Sequence, residues 1–384
     1  MPEKPPVVLL TNVRWDALWE YSHVLATLFA DAGYPTVFVE TTGMRNPPLG
    51  ITTGRRVLKR LLRARRSGGK KPTSLSPNLT VYSPLVVPPT HEAFRRINHR
   101  IFVPRIVRDL RRLVGTAPVV MAFVPTRTTL DLVSGLEPRV IWYHCTLNYG
   151  EIPDAPVDIE ETERQLLMAA DTVTADSGFL KEKHLRVRPD TIRIESGVDF
   201  ELFRQADSGP LESPARILYY FGRAYERVFD FDLVREVVEA GFTLRILGTL
   251  SEPSFANLPG VEYLGRVPHK VLPEHLREAD ALIIPYKVTP FTKGTFPAKT
   301  YEALATGKPV VTTPLPDLKR LGGHIYLGDG SEEFLRILRC LHKSETPERV
   351  RARLELARQN SWEARFVRFE EILWGNLEDR WPSS

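Results

Sequence analysis

The sequence predicts an α/β protein of two Rossmann-like domains, each a parallel sheet wound on both faces by helices. Three observations lead there. The chain has 384 residues, beyond the size at which one hydrophobic core usually stops growing, so two domains are expected. It opens with a strand, a helix and a second strand, the unit from which parallel sheets are built. The same alternation restarts after a span rich in Gly, Pro and Ser near residue 208.

Val7 to Leu10 is a short apolar run closed by Thr11 and Asn12, and reads as the first strand. Over 15–30 the apolar positions Leu18, Tyr21, Val24, Leu25, Leu28 and Phe29 recur at helical spacing, and Gly33 supplies the stop. Thr36 to Glu40 is the second strand. Further strands are expected at 80–82, 119–123, 140–143, 172–175 and 191–194, with helices over 93–113 and 160–169 and a Ser177 cap on the helix after 175. Beyond the linker 204–214, strands are expected at 217–221, 243–247, 261–264, 281–285 and 310–313, with helices at 231–240 and 272–279. The segment 346–379 reads as helical, with Trp362, Phe366, Phe369 and Ile372 on an apolar face. This divides the chain into a first domain at 1–205, a second at 206–360 and a closing helix at 361–384 that is expected to return to the first domain.

With 42% hydrophobic and 26% charged residues the composition is that of an ordinary globular protein. No apolar run reaches the ~18–20 residues a bilayer requires, and the N-terminus does not read as a signal peptide. Cys145 and Cys340, far apart in the chain, suggest neither a metal cluster nor a disulfide framework and fit a reducing cytoplasm. The net charge of +5 hides an asymmetry: residues 1–150 hold 21 Lys and Arg against 9 Asp and Glu, leaving 31 against 38 for the rest. The excess lies from Arg55 to Lys71 and again from Arg95 to Arg112. In the first of these, Val57, Leu58, Leu61 and Leu62 form one face of a short basic helix, which suits either an anionic membrane surface or packing on the domain. Nucleic-acid binding is not expected, because the basic segments lack interleaved aromatics.

The stretch from Thr289 to Pro314, TPFTKGTFPAKTYEALATGKPVVTTP, concentrates the chemistry. A Gly-containing loop followed by a helix N-terminus is a natural anion site, and Val310 to Thr313 reads as a buried parallel strand. Lys299 and Glu302 are one helical turn apart and share a face. In the first domain Asn12, Arg14, Trp15 and Asp16 are expected at the ligand edge of the sheet, and the strand at 140–143 delivers His144 to the same edge.

Four segments in order, ADTVTADSGFL, RIESGVDFELF, VEYLGRVPHKVLPEHLREADALIIPY and FPAKTYEALATGKPVV, resemble the GT-B glycosyltransferases, within them the retaining nucleotide-sugar enzymes. The branch resembled is that of bacterial capsular and teichuronic-type polysaccharide transferases. Departures are visible. Gly294 stands where the family carries a first glutamate eight residues before Glu302, Ser196 replaces an Asn, Val228 fills a lysine register, and VRWDALWEYSH replaces a double-glycine loop.

The resemblance implies two Rossmann-like domains facing each other across a cleft, and transfer of a sugar from a UDP- or GDP-sugar to a glycan or lipid-linked acceptor. No cofactor or metal is implied. Charge developing on the leaving diphosphate would be met by Arg223, beside Gly222, and by Lys299, with the N–H groups of Gly294 and Thr295 closing around the phosphates. Glu302 would accept from the ribose hydroxyls, while Gly265, Arg266 and Val267 would hold the base. His144 would meet the transferred sugar or the acceptor. Asp16 could serve as a general base if the enzyme inverts. Plainer roles stand beside these: a surface lysine at 299, an intrahelical pair of Glu302 with Lys299, a salt bridge from Arg223 to Glu226, a structural His144, and a helix cap at Asp16. A non-catalytic GT-B partner subunit or a GT-B nucleotide-sugar epimerase would be built from the same segments. The expected location is the cytoplasm, peripheral to the inner face of the membrane through Arg55 to Lys71.

Overall fold

The computed structural model describes residues 3–16, 19–40, 42, 44, 76–87, 91–153 and 155–380. The basic helix expected within Arg55 to Lys71 lies outside them. The chain divides into two compact units, one of Met1–Asp176, Leu180–Ile194 and Phe369–Ser384, the other of Ser177–Phe179 and Glu195–Arg368.

The first unit is built on seven strands: β1 (Val7–Leu10), β2 (Thr36–Val39), β3 (Leu79–Tyr82), β4 (Val119–Ala122), β5 (Val140–Cys145), β6 (Thr172–Ala175) and β7 (Ile192–Arg193). Their order is β3-β2-β1-β4-β5-β6-β7, and every pairing is parallel. β1 is buried at all four positions, as an apolar run with helices on both faces must be. Val8, Leu10, Val37, Val39 and Val120 pack against Ile106 and Leu110 of the helix Val103–Val114 and Leu132 and Leu136 of the helix Arg127–Leu136. Each such aliphatic side chain contributes about 1.5–3 kcal/mol when fully buried.

The first helix differs from its expected span. It runs Tyr21–Asp31 with Glu20 as N-cap residue, and the Glu20 N–H donates to His23 Nδ1 at 3.1 Å. Asp16 therefore does not cap it. Its carboxylate instead pairs with Arg14 at the surface.

The second unit repeats the design with β8 (Ile217–Ala224), β9 (Thr243–Leu250), β10 (Val261–Gly265), β11 (Ala281–Ile284), β12 (Val310–Thr312) and β13 (Tyr326–Leu327). The order is β10-β9-β8-β11-β12-β13, again parallel throughout. The strand order reverses between β8 and β11, and the carboxyl ends at such a reversal form the crevice where ligands bind in open α/β sheets. The closing helical segment is two helices, Pro347–Gln359 and Trp362–Arg380, broken at Asn360 and Ser361. The break is anchored within the unit: Trp362 N–H donates to Val198 C=O at 3.0 Å, and a Cβ on Gly197 would lie 2.9 Å from the Trp362 ring.

Candidate functional site

In the second unit, Gly222 and Arg223 lie near the carboxyl end of β8, the neighbour of β11, which is followed by Pro285 and Tyr286. Lys299, the first residue of the helix Lys299–Ala305, reaches back into this corner. Its Nζ donates to Tyr286 Oη at 2.6 Å, lies 3.3 Å from Tyr220 Oη, and sits 4.9 and 4.7 Å from the two ring centroids. Burial, followed by the neighbouring Tyr286, pushes the Tyr220 phenol well above its usual value, so it is neutral. A single ammonium is thus held by two phenols and their π faces, and Arg223, next to Gly222 in the chain, is exposed.

This corner explains a glycine. Gly222 has φ +111°, and a Cβ there would lie 3.1 Å from Lys299 Cε and 3.2 Å from Nζ. Gly248, in register with Gly222 across β8 and β9, is required by the same approach: its Cβ would fall 1.9 Å from the Gly222 carbonyl oxygen. Only glycine at both positions lets the strands and the lysine meet.

Glu302 follows Lys299 by one helical turn, yet its carboxylate pairs with His269 Nε2 at 2.8 Å and not with Lys299. Burial alone would lower the His269 pKa, but the hydrogen bond and charge of Glu302, with Asp199, outweigh it and the net shift is upward. His269 stands two residues after the run Gly265, Arg266, Val267, where the pairing of β10 with β9 shifts register. The contact therefore ties that turn to the helix of Lys299. Sequence reasoning missed His269, Tyr220, Tyr286 and Gly248; of these only His269 had a signal, its closeness to the turn.

The helix is fixed at its far end. Gly307 N–H donates to Leu304 C=O at 3.0 Å, and the Gly307 carbonyl accepts from Arg353 Nε at 2.9 Å. Arg353 is fully buried and forms a two-pronged pair with the buried Glu345 carboxylate.

The loop before the helix requires a correction. Thr289 caps a short helix Pro290–Lys293, the Gly294 N–H donates to Phe291 C=O at 3.3 Å, and the Thr295 N–H donates to Thr292 C=O at 3.0 Å. These two N–H groups are spent inside their own turn and do not form the expected phosphate cradle. Gly294 is buried, and its carbonyl accepts from Ser177 Oγ at 3.1 Å. The cap expected of Ser177 is made by Asp317, whose carboxylate accepts from the N–H groups of Gly178 and Phe179 at 2.7 and 3.2 Å.

In the first unit His144 is the penultimate residue of β5 and has no exposed surface. Nδ1 lies 2.7 Å from Thr174 Oγ1, Nε2 has no partner, and the ring packs among Tyr21, Phe123 and Phe369. Burial lowers its pKa to about 3, so it is a neutral imidazole. Next to it Cys145, Glu163 and His184 form a buried cluster whose ligand atoms lie within 4.8 Å, a grouping not visible in the sequence. Glu163 there accepts from Tyr143 Oη at 2.8 Å and pairs with Lys183 at 3.3 Å.

Residues 215–342 match the family described as glycosyl transferases group 1. Over 179 residues the chain is 30% identical to the putative teichuronic acid biosynthesis glycosyltransferase TuaH of Bacillus subtilis, covering 42% of this chain and 45% of that protein, so the match spans about half of the relative's length. Among solved structures, HepE of Anabaena in complex with UDP and glucose superposes with a TM-score of 0.68 at 14% identity, covering 97% of this chain and 100% of that one. Sucrose-phosphate synthase of Thermosynechococcus elongatus gives a TM-score of 0.67 at 15% identity, covering 97% and 99%. The chain therefore has the GT-B fold, and the part of it that matches group 1 glycosyl transferases lies in its second unit.

Proposed function

We propose that the protein is a glycosyltransferase that moves a sugar from a UDP- or GDP-sugar to a glycan or lipid-linked acceptor in cell-surface polysaccharide synthesis, with retention at the anomeric carbon. The observation that carries this reading is the approach of Lys299 to Gly222, whose chain neighbour is Arg223, at the strand reversal of the second unit. As the bond from the anomeric carbon to the terminal phosphate breaks, negative charge grows on the leaving diphosphate. Two cations at one crevice, one of them prepositioned by two phenols, stabilise that charge with little reorganisation. Glu302 accepts from the ribose hydroxyls, and the turn Gly265, Arg266, Val267 holds the base through its backbone. His144, neutral and with Nε2 unengaged, suits a hydrogen bond to a sugar hydroxyl. Asp16 has no part in a retaining reaction. Location in the cytoplasm, with membrane contact through Arg55 to Lys71, completes the reading. No helix among the described residues is long and apolar enough to cross a membrane.

One observation favours a second reading, a non-catalytic partner subunit: Gly294 stands at the place of a family glutamate and is buried. Incubation with a panel of nucleotide sugars, with release of nucleoside diphosphate as readout, separates the two. The transferase releases UDP or GDP and gives a product whose anomeric proton coupling matches that of the donor. Absence of both release and nucleotide binding removes the transferase reading, and an inverted product removes retention.

A further inference from the structure

The helical segment 92–114 of the first unit presents a solvent face that sugar transfer does not use. It consists of the helix Glu92–Ile97, a π turn Asn98–Phe102 and the helix Val103–Val114. Its inner face is settled: Val103, Ile106 and Leu110 are buried in the core. Asn98, fully buried, holds the π turn by accepting from Val87 N–H at 3.0 Å and donating to Val87 C=O at 2.7 Å and Thr128 Oγ1 at 3.1 Å.

The outer face is unusual in composition. Phe94, Ile97 and Ile101 are exposed by 36, 37 and 43%, although large apolar side chains normally seek the core. Arg105, Arg108 and Arg112 are exposed further along. Positions 94, 97 and 101 lie before or within the π turn and positions 105, 108 and 112 after it; each set is spaced by three or four and forms its own short exposed stripe. The first stripe is apolar and the second cationic. The segment holds seven Arg against two acidic residues, Glu92 and Asp109. Among the described residues Arg100 and Arg105 make no ion pair, while Arg108 and Arg112 touch only Asp109, at 3.5 and 3.9 Å. Such exposed pairs are weak and leave the charge available.

We propose that this face docks onto an anionic lipid bilayer, with Phe94, Ile97 and Ile101 entering the headgroup region and Arg100, Arg105, Arg108 and Arg112 lying against lipid phosphates. Charge complementarity selects the partner, and the apolar half selects a bilayer over other polyanions. A nucleic acid would be read by stacking aromatics along the cationic stripe, and here two of the three apolar side chains are aliphatic. Neither half suffices alone. Stable attachment of a peripheral protein takes two signals, and this segment supplies a hydrophobic one and a basic one among its exposed residues. The segment is distinct in sequence from Arg55 to Lys71, and its assignment does not rest on the transferase reading.

Flotation of the full chain with vesicles tests it. At about 0.1 M salt the protein should float with phosphatidylcholine vesicles containing about 30% phosphatidylglycerol and remain behind with phosphatidylcholine alone. Arg105→Gln and Arg108→Gln should each weaken partitioning about fivefold. The triple variant Phe94→Ser, Ile97→Ser, Ile101→Ser should weaken it about tenfold or more. All these side chains are exposed, and an unchanged melting temperature shows that the fold is kept. Repeating the series in a chain whose basic residues from Arg55 to Lys71 are Gln isolates this face, and residual binding to anionic vesicles is expected there. Three results overturn the proposal: no flotation of the native chain with anionic vesicles, flotation undiminished in the triple variant, or salt-sensitive binding to duplex DNA without binding to vesicles.

Discussion

Lys299 and His144 are the residues each unit offers most plainly for chemistry, and their surroundings are opposite. Lys299 is half-buried and held between two phenol side chains at the strand reversal of its sheet. His144 is a neutral ring sealed among aromatics, with one nitrogen on Thr174 and the other unengaged. The first arrangement stores positive charge where an anion can meet it. The second removes charge and leaves hydrogen bonding, which suits a sugar hydroxyl better than a phosphate. The difference teaches that two sheets of one design can surround a polar side chain at the strand ends with opposite electrostatic environments.

Four experiments break or sharpen this contrast. The largest effect is expected from Arg353→Ala, which strips the buried Glu345 carboxylate of its two-pronged partner, leaving it the Tyr326 hydroxyl at 2.6 Å, and frees the Gly307 carbonyl behind the Lys299 helix. Denaturant unfolding should show a loss of about 3–5 kcal/mol, and a loss below 1 kcal/mol would mean the helix is held by other contacts. Next comes Lys299→Ala, expected to slow transfer about 10²–10³-fold with the fold intact; unchanged turnover would put the diphosphate elsewhere.

The third experiment concerns acid. His144 has a folded pKa of about 3 against an ordinary 6.5. Between those values the unfolded chain binds a proton that the native state does not, so this group destabilises the fold as pH falls below 6.5, by at most about 1.4 kcal/mol per pH unit. The slope of stability between pH 6.5 and about 5 should flatten in His144→Gln. An unaltered slope would show that the buried ring is not what titrates. The smallest effect is that of Glu302→Gln. His269 is raised by Glu302, so its stabilising share is complete below its unfolded pKa of about 6.5 and lost as pH rises through the folded value. In the variant the imidazole resonance should titrate at lower pH, and nucleotide affinity should fall about tenfold through the lost ribose contact.

Much of the fold was legible because its signals are local. The β-branched run at Val310 to Thr313, expected as a buried parallel strand, is one over Val310–Thr312. Lys299 and Glu302 could be placed on one face from helical period alone. Their partners could not, because His269 lies 33 residues from Glu302 and Tyr220 lies 79 from Lys299, distances that only the sheet order closes. The start of the first helix was misread because apolar period continues upstream of Tyr21, and its cap is Glu20 with His23 and none of the usual Ser, Thr, Asp or Asn. The loop at Gly294 was misread although Thr289 followed by Pro290 is itself a helix-start signal, and that short helix uses the N–H groups assigned to phosphate.

The central claim is that Gly222, Arg223 and Lys299 form the seat of a nucleoside diphosphate. Calorimetric titration of UDP and of GDP into the native protein and into Lys299→Ala tests it most directly. The account predicts that one of the two nucleotides binds the native chain and that the variant binds it at least tenfold more weakly, with an unchanged melting temperature. Equal affinity in both proteins, or no binding of either nucleotide to the native chain, would contradict it.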